Sequence, residues 1–297
     1  MTPRIDRVHP LAGLEGGRVT VFGAGLTGDE LGLPTLRFDT LESRPLISAP
    51  TRIVAPIPED AVSGFLAITW PEARLEGPYV EVARKLAEDL HPVANPVVDA
   101  EGYILSTFSG SRGQAAPGGV SVFRISADGA VQPYLSDLMN PSGLALDAQG
   151  ALHISCRNDG TVRKVVAPGQ TETLIEGLGI ATGIAFDAEG TLFVGDRGGS
   201  IYAVDPKGGT RHFASLPPSV AAYHLAFGPD GHLYVTAPTL SNDDPVYRIG
   251  PGGEVATFVE HLARPQGLAF DAQGTLYVVA ISGGERGVFQ IGPDRRP

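Results

Sequence analysis

PSGLALDAQGALHIS (141–155) is written five times along this chain in variant form. It returns as ANPVVDAEGYILST (94–107), ATGIAFDAEGTLFVG (181–195), AYHLAFGPDGHLYVT (222–236) and PQGLAFDAQGTLYVV (265–279). The equivalent positions Asp99, Asp147, Asp187, Gly228 and Asp271 lie 48, 40, 41 and 43 residues apart. Each copy reads as an apolar first strand, a turn opened by Asp and closed by Gly, and an alternating second strand such as TLFVGD (191–196). In the turn, the carboxylate caps backbone amides and the glycine takes the left-handed conformation. Third strands follow at 121–126, 161–166, 200–205, 245–250 and 287–292. Fourth strands follow at 131–138, 171–178, 210–217 and 255–262. A period of this length built from strands predicts a β-propeller, one repeat per blade.

Five repeats are visible, and the fifth stops after its third strand. The segment EVARKLAEDLHPVANPVVDAEG (81–102) matches TETLIEGLGIATGIAFDAEG (171–190), with Leu86 and Leu90 standing for Leu174 and Leu178. It is therefore a candidate to supply the missing strand and close five blades, which would remove two open sheet edges. The other reading is a six-bladed ring whose last blade is missing from this chain, with bare apolar faces.

Residues before the repeats read as short strands of a β-sandwich, RVTVFG (18–23), TLRFD (35–39), TRIVAPIP (51–58), GFLAITW (64–70) and YVEVAR (79–84). The fold class expected is all-β, with an immunoglobulin-like sandwich over 1–85 and a propeller over 86–297. Composition agrees: of 297 residues 42% are apolar, with 39 glycines and 25 prolines for tight turns. A single cysteine, Cys156, excludes an internal disulfide and a multi-cysteine metal site. The opening MTPRIDRVHPLAGLEGG lacks a signal-like apolar run, and no stretch is long enough to span a bilayer. The expectation is a cytoplasmic protein without membrane insertion. A net charge of −11 repels phosphate backbones and argues against nucleic acid as a partner.

Residues 3–85 resemble an IPT/TIG domain, an immunoglobulin-like fold. The resemblance rests on IDRVHPLAGLEGGRVTVFGAGL (5–26), with Pro10 and the Gly16-Gly17 pair, and on VAPIPEDAVSG (54–64). Residues 86–297 resemble bacterial NHL repeat and SMP-30/gluconolactonase-like propellers, through NPSGLALDAQGALHIS (140–155) and RPQGLAFDAQGTLYVV (264–279). Relatives that join these two domains usually carry six blades, which favours the incomplete ring. The gluconolactonase resemblance also implies a divalent-metal site of Glu, Asn and Asp side chains supporting lactone hydrolysis. Carried over residue by residue, it leaves Asn95 as an amide ligand and Asp196 as the one carboxylate, for Ca²⁺ or Zn²⁺. The rest of that set has no counterpart here.

The positions just ahead of the first strands hold Asn95, Ser142, Thr182, Tyr223 and Gln266, all polar. If the ring closes, they point at one shared volume. His224 replaces the glycine found at 143, 183 and 267 and is a candidate ligand contact; a packing change explains it equally well. His153 shares a column with Leu105, Phe193, Tyr234 and Tyr277 and reads as core, as does Cys156. Loops after the second strands carry Arg112, Arg157, Asp196, Arg197, Asp243 and Asp244. Arg157 and Arg197 are equivalent in adjacent repeats: either a fork for a carboxylate or phosphate, or salt bridges to Asp196 or Asp159. GAGLTG (23–28) satisfies a dinucleotide pattern but is followed by Pro34 and a β-like run, so it reads as a sandwich turn. No nucleophile–base pair can be named. The leading expectation is a binding or scaffold protein whose channel face holds a small molecule or a protein partner. The alternative is a metal-dependent lactone or ester hydrolase using Asn95, Asp196 and His224.

Overall fold

The repeat turns form as their residues dictate. A computed structural model describes residues 2–27, 32–88, 90, 94–108, 119–241, 243–282 and 284–292. In it, Asp99 Oδ1 accepts the amides of Glu101 and Tyr103 at 3.0 and 2.9 Å. Asp147, Asp187 and Asp271 do the same in their own turns. Gly150, closing the second turn, sits at φ 79°, where a side chain would be strained. In the fourth repeat Gly228 has no carboxylate, and Asp230 takes over by accepting the His232 amide at 3.2 Å. Third-strand cations answer these acids: Arg124 to Asp99, Lys164 to Asp147 and Arg248 to Asp230, at 2.9, 3.1 and 2.8 Å.

The described residues form strands and no α-helix. The chain divides into two compact units, Met1–Lys85 and Leu86–Pro297. The first contains β1 (Arg4–His9), β2 (Ala12–Leu14), β3 (Arg18–Ala24), β4 (Thr35–Phe38), β5 (Leu41–Ser43), β6 (Ile47–Ala49), β7 (Arg52–Pro56), β8 (Gly64–Trp70) and β9 (Ala73–Ala83). They build two sheets, ordered β1-β3-β7-β6 and β2-β9-β8-β4-β5. Val19, Val21, Ile53 and Ala55 from one sheet share a core with Leu36, Phe38, Leu66, Ile68 and Val80 from the other. Along β3, β4 and β7 alternate residues are buried, as a two-layer sandwich requires. The GAGLTG motif begins at the end of β3, and its last residue lies outside the described residues.

The second unit is a series of antiparallel sheets in chain order. The first holds β10 (Val97–Val98), β11 (Ile104–Thr107), β12 (Val120–Ile125) and β13 (Val131–Ser136). The second holds β14 (Pro141–Leu146), β15 (Leu152–Cys156), β16 (Thr161–Ala167) and β17 (Gln170–Ile175). The third holds β18 (Ala181–Phe186), β19 (Leu192–Asp196), β20 (Ser200–Val204) and β21 (Thr210–Ser215). The fourth holds β22 (His224–Phe227), β23 (Leu233–Thr236), β24 (Asp244–Ile249) and β25 (Val255–Leu262). The last has three strands, β26 (Leu268–Phe270), β27 (Leu276–Ser282) and β28 (Glu285–Ile291). First strands neighbour one another in succession, β14 beside β18, β18 beside β22 and β22 beside β26. That is the radial order expected of a propeller.

Apolar cores lie between successive sheets. Leu105 and Val122 meet Leu144 and Ile154; Val162 and Leu178 meet Ile184 and Val194. Phe193 and Ile201 meet Tyr223 and Val235; Tyr234 and Val246 meet Leu268 and Val278. Between the last sheet and the first, no such core forms among the described residues. Val98, Val279 and Val288 lie on the faces turned away from the neighbouring cores and are exposed. One hydrogen bond spans this seam, from Asn95 Nδ2 to the Leu268 carbonyl at 3.0 Å.

The fourth strand expected from the segment 81–102, at Leu86 and Leu90, does not form among the described residues. Glu81, Val82 and Ala83 end β9, paired with Ala12, Gly13 and Leu14 in the other unit, so these residues cannot also complete β28. Residues 84–88 and 90 carry no strand, and β28 pairs with β27 alone. Leu86 nevertheless lies against the first sheet. A Cβ on Gly129 would stand 3.0 Å from the Leu86 carbonyl oxygen, and Gly253 meets the carbonyl of Phe213 on β21 in the same way.

Candidate functional site

The loops after the second strands and the starts of the first strands share one end of the sheets. Hydrogen bonds tie them together: the Arg157 amide donates to the Asn140 carbonyl at 3.1 Å and the Arg197 amide to that of Ile180 at 3.2 Å. This mouth face therefore collects the polar residues singled out from the repeats. Arg112 and His91 lie outside the described residues.

The five polar residues ahead of the first strands do not share one fate. Thr182 is buried between sheets, where its Oγ1 donates to the Gly195 carbonyl at 3.1 Å and accepts the Tyr223 amide at 3.1 Å. Tyr223 is fully buried and its hydroxyl donates to the Pro217 carbonyl at 2.6 Å. Burial, with Asp196 and Tyr247 nearby, raises that hydroxyl above the ordinary phenol value. Asn95 is the clasp of the last seam. Gln266 is exposed, and its carbonyl accepts Thr236 Oγ1 at 2.7 Å. Ser142 is fully buried, and its Oγ has no partner. Thus Asn95, Thr182 and Tyr223 are engaged in holding sheets together, while Ser142 and Gln266 have side chains without such a bond.

These clasps also involve residues that the sequence reading passed over. Thr107 Oγ1 donates to the Ser142 carbonyl, Ser155 Oγ to that of Thr182 and Thr236 Oγ1 to that of Gln266. Their common position in the second strand is the signal that was available. In the third repeat that position is Gly195, where an added Cβ would stand 2.9 Å from the Tyr223 ring; the missing side chain makes room for the tyrosine.

His224 breaks a packing rule. A Cβ on Gly143 would overlap the Thr182 carbonyl, and one on Gly183 would overlap that of Tyr223. The fourth repeat places an imidazole in this column, 7% exposed and opposite Thr236 in the ladder. Its Nδ1 is buried without a partner, and burial pushes the ring's pKa down to about 4. It is a neutral imidazole at pH 7. His153, by contrast, donates from Nδ1 to the Ala151 carbonyl at 3.1 Å and meets Phe186 edge-on, 4.9 Å between centroids, as a core residue does. Cys156 is buried, and burial raises its thiol to about 11, so it is inert at neutral pH.

One oxygen of the Asp196 carboxylate is taken up by capping. Its Oδ1 accepts the amides of Ile180 and Gly198, both at 2.9 Å. Asp159 Oδ1 accepts the Thr161 amide and hydroxyl. Asp244 is 1% exposed, with Oδ1 held by Thr239 and Oδ2 without a partner. Asp243 pairs with His261 at 2.9 Å on the surface. No group of three or more His, Cys, Asp or Glu placed to hold a metal occurs among the described residues. Asn95 and Asp196 belong to the first and third sheets and both serve as internal clasps. The residues present do not fit a hard divalent cation, which wants several converging oxygens.

Arg157 and Arg197 are partly buried, and neither makes an ion pair among the described residues. The bridges to Asp196 or Asp159 weighed in the sequence are not formed. Burial, and after it the Arg197 charge, holds the Arg157 guanidinium below its usual value. The mouth face thus carries two guanidiniums from adjacent sheets, a buried neutral imidazole and a buried free hydroxyl.

No family model matches the chain, and no curated protein matches it. Solved structures do. A gluconolactonase-like protein is 21% identical with a TM-score of 0.55, over 71% of this chain and 78% of that one. Virginiamycin B lyase from Staphylococcus aureus is 15% identical with a TM-score of 0.53, over 78% and 79%. A protein of unknown function from Bacteroides thetaiotaomicron is 14% identical with a TM-score of 0.50, over 94% and 81%. At these identities the likeness is one of fold. The chain is all-β with propeller neighbours, among them the gluconolactonase-like and lyase propellers.

Proposed function

We propose that this protein binds a small molecule on the mouth face of its repeat unit, with His224 as a direct contact. One observation carries the reading: an imidazole stands where three other repeats have glycine, buried and neutral, with Nδ1 unpartnered. Buried polar atoms in native structures are nearly always hydrogen-bonded, because an unmade bond costs about 1–3 kcal/mol. A bound ligand would satisfy His224 Nδ1 and, on the second sheet, Ser142 Oγ. The repeat architecture that accompanies this reading is a ring of five sheets closed by Asn95, with Leu86 beside the last sheet's open edge. The two-layer N-terminal unit is read as an IPT/TIG-like module, and the protein as cytoplasmic.

The test is a thermal-unfolding screen of small metabolites, followed by titration of each hit into wild type and His224→Gly. That substitution restores the residue of the other repeats, so the variant is expected to fold and to lose at least tenfold in affinity. Hits that bind His224→Gly unchanged would remove the reading. The hydrolase alternative draws on the gluconolactonase-like neighbour and requires a metal. Stoichiometric Ca²⁺, Zn²⁺ or Mn²⁺ by elemental analysis, with lactone turnover abolished in Asp196→Ala, would replace binding by catalysis.

A further inference from the structure

We propose that Arg157 and Arg197 form an anion-binding fork that takes a carboxylate or phosphate group of a small ligand. The inference rests on the mouth-face binding reading and names the chemistry of the ligand. The two residues follow β15 and β19, equivalent strands of adjacent sheets, whose first strands β14 and β18 are neighbours. Hydrogen bonds from their own amides to Asn140 and Ile180 fix both backbones at the entrances of those strands. The two residues therefore occupy matched positions at one end of adjacent sheets.

Their surroundings are the informative part. The chain carries 33 acidic residues against 22 lysines and arginines, so carboxylates are plentiful. Yet the two acids in the adjoining loops are turned to backbone amides and a threonine hydroxyl. Elsewhere in the unit the repeats do pair their cations, as Arg124 with Asp99 and Arg248 with Asp230. Two partly buried guanidiniums on adjacent sheets, the charge of Arg197 being felt at Arg157, repel each other and lose hydration. An anion between them reverses both effects, and the planar guanidinium suits the two oxygens of a carboxylate or phosphate. Ser142 Oγ, on β14 one step inside the Arg157 anchor, is a buried hydroxyl free to join it.

The experiment is calorimetric titration of the full chain with inorganic phosphate and, separately, with succinate, which distinguishes the two anion classes. Saturable binding of at least one is expected, weakened tenfold or more in Arg157→Gln and in Arg197→Gln. Arg157→Lys keeps the charge and the aliphatic stem, so it tests the fork without risk to folding; its affinity is expected to fall several-fold. Arg18→Gln, an exposed position in the other unit, is expected to leave binding unchanged. Failure of both anions to bind, or binding that survives both glutamine substitutions, overturns the fork. Screen hits lost in His224→Gly together with intact phosphate binding in the fork variants would remove the fork and keep the His224 reading. The opposite pattern would keep the fork and remove His224.

Discussion

The side-chain amide of Asn95 donates to the Leu268 carbonyl at 3.0 Å, joining the first repeat to the last across 173 residues of chain. Every other pair of successive sheets shares an apolar core, whereas this seam exposes Val98, Val279 and Val288. Asn95→Leu keeps the volume and removes the donor, leaving a carbonyl unpaired beside buried Leu268. A loss of about 1 kcal/mol in urea unfolding is expected, with faster amide exchange confined first to β26 and β27. Unchanged exchange there would show that the seam is held by other means.

Close approach between the third and fourth sheets depends on Gly183. An added Cβ would overlap the Tyr223 carbonyl and stand 2.8 Å from Leu225 Cδ1. Backbone on one side and a packed leucine on the other leave little room to yield. Gly183→Ala is expected to cost roughly 1–3 kcal/mol. At Gly287 on β28 an added methyl would meet nothing within 4 Å, so Gly287→Ala is expected to be neutral. Equal midpoints for the two variants in denaturant would contradict the packing described.

The repeat spelled out much of this architecture before any coordinates. Asp99, Asp147, Asp187 and Asp271 cap their turns because a carboxylate two and four residues ahead of free amides has one easy geometry. Less legible was the direction of the polar side chains at the mouth. Thr182 and Tyr223 look like channel residues by position, yet seam hydrogen bonds and a neighbouring glycine turn them inward. Asp196 likewise looked like a metal ligand by charge alone. Its role depends on the Ile180 amide, 16 positions earlier in the chain, which no local pattern reveals. The strand expected from the segment 81–102 does not form among the described residues for a similar reason, since β2 pairs with residues 81–83.

Asp196 offers a test of that capping role. Asparagine at 196 keeps an oxygen for the Ile180 and Gly198 amides and removes the charge; alanine removes both. Asp196→Asn is expected to unfold within about 1 kcal/mol of wild type, and Asp196→Ala to lose about 1–3 kcal/mol. The comparison is read from urea midpoints at neutral pH. Asparagine as damaging as alanine would mean that the charge itself is needed, and would restore the case for a cation at this position.

Acid sensitivity follows from the two buried histidines. The pKa of His224 is lowered to about 4, and that of His153 is also lowered, in both cases chiefly by burial. The unfolded chain binds these protons near the ordinary histidine value of about 6.5, so between there and about 4 the unfolded state holds more protons. Stability is then complete above about pH 6.5 and declines as pH falls toward 4. For His224 a shift of this size corresponds to roughly 3 kcal/mol across the window. The capping aspartates Asp99, Asp147 and Asp230 are held below the ordinary carboxylate value, so their contributions vanish only in stronger acid. Urea midpoints measured at about pH 7.5 and about pH 4.5 should therefore converge in His224→Gly relative to wild type. His153→Phe, which restores the aromatic character of its column, should flatten the remaining slope. A wild-type profile that stays level down to pH 4.5 would mean that His224 reaches solvent when charged, and the buried neutral imidazole on which the proposed ligand contact depends would be lost with it.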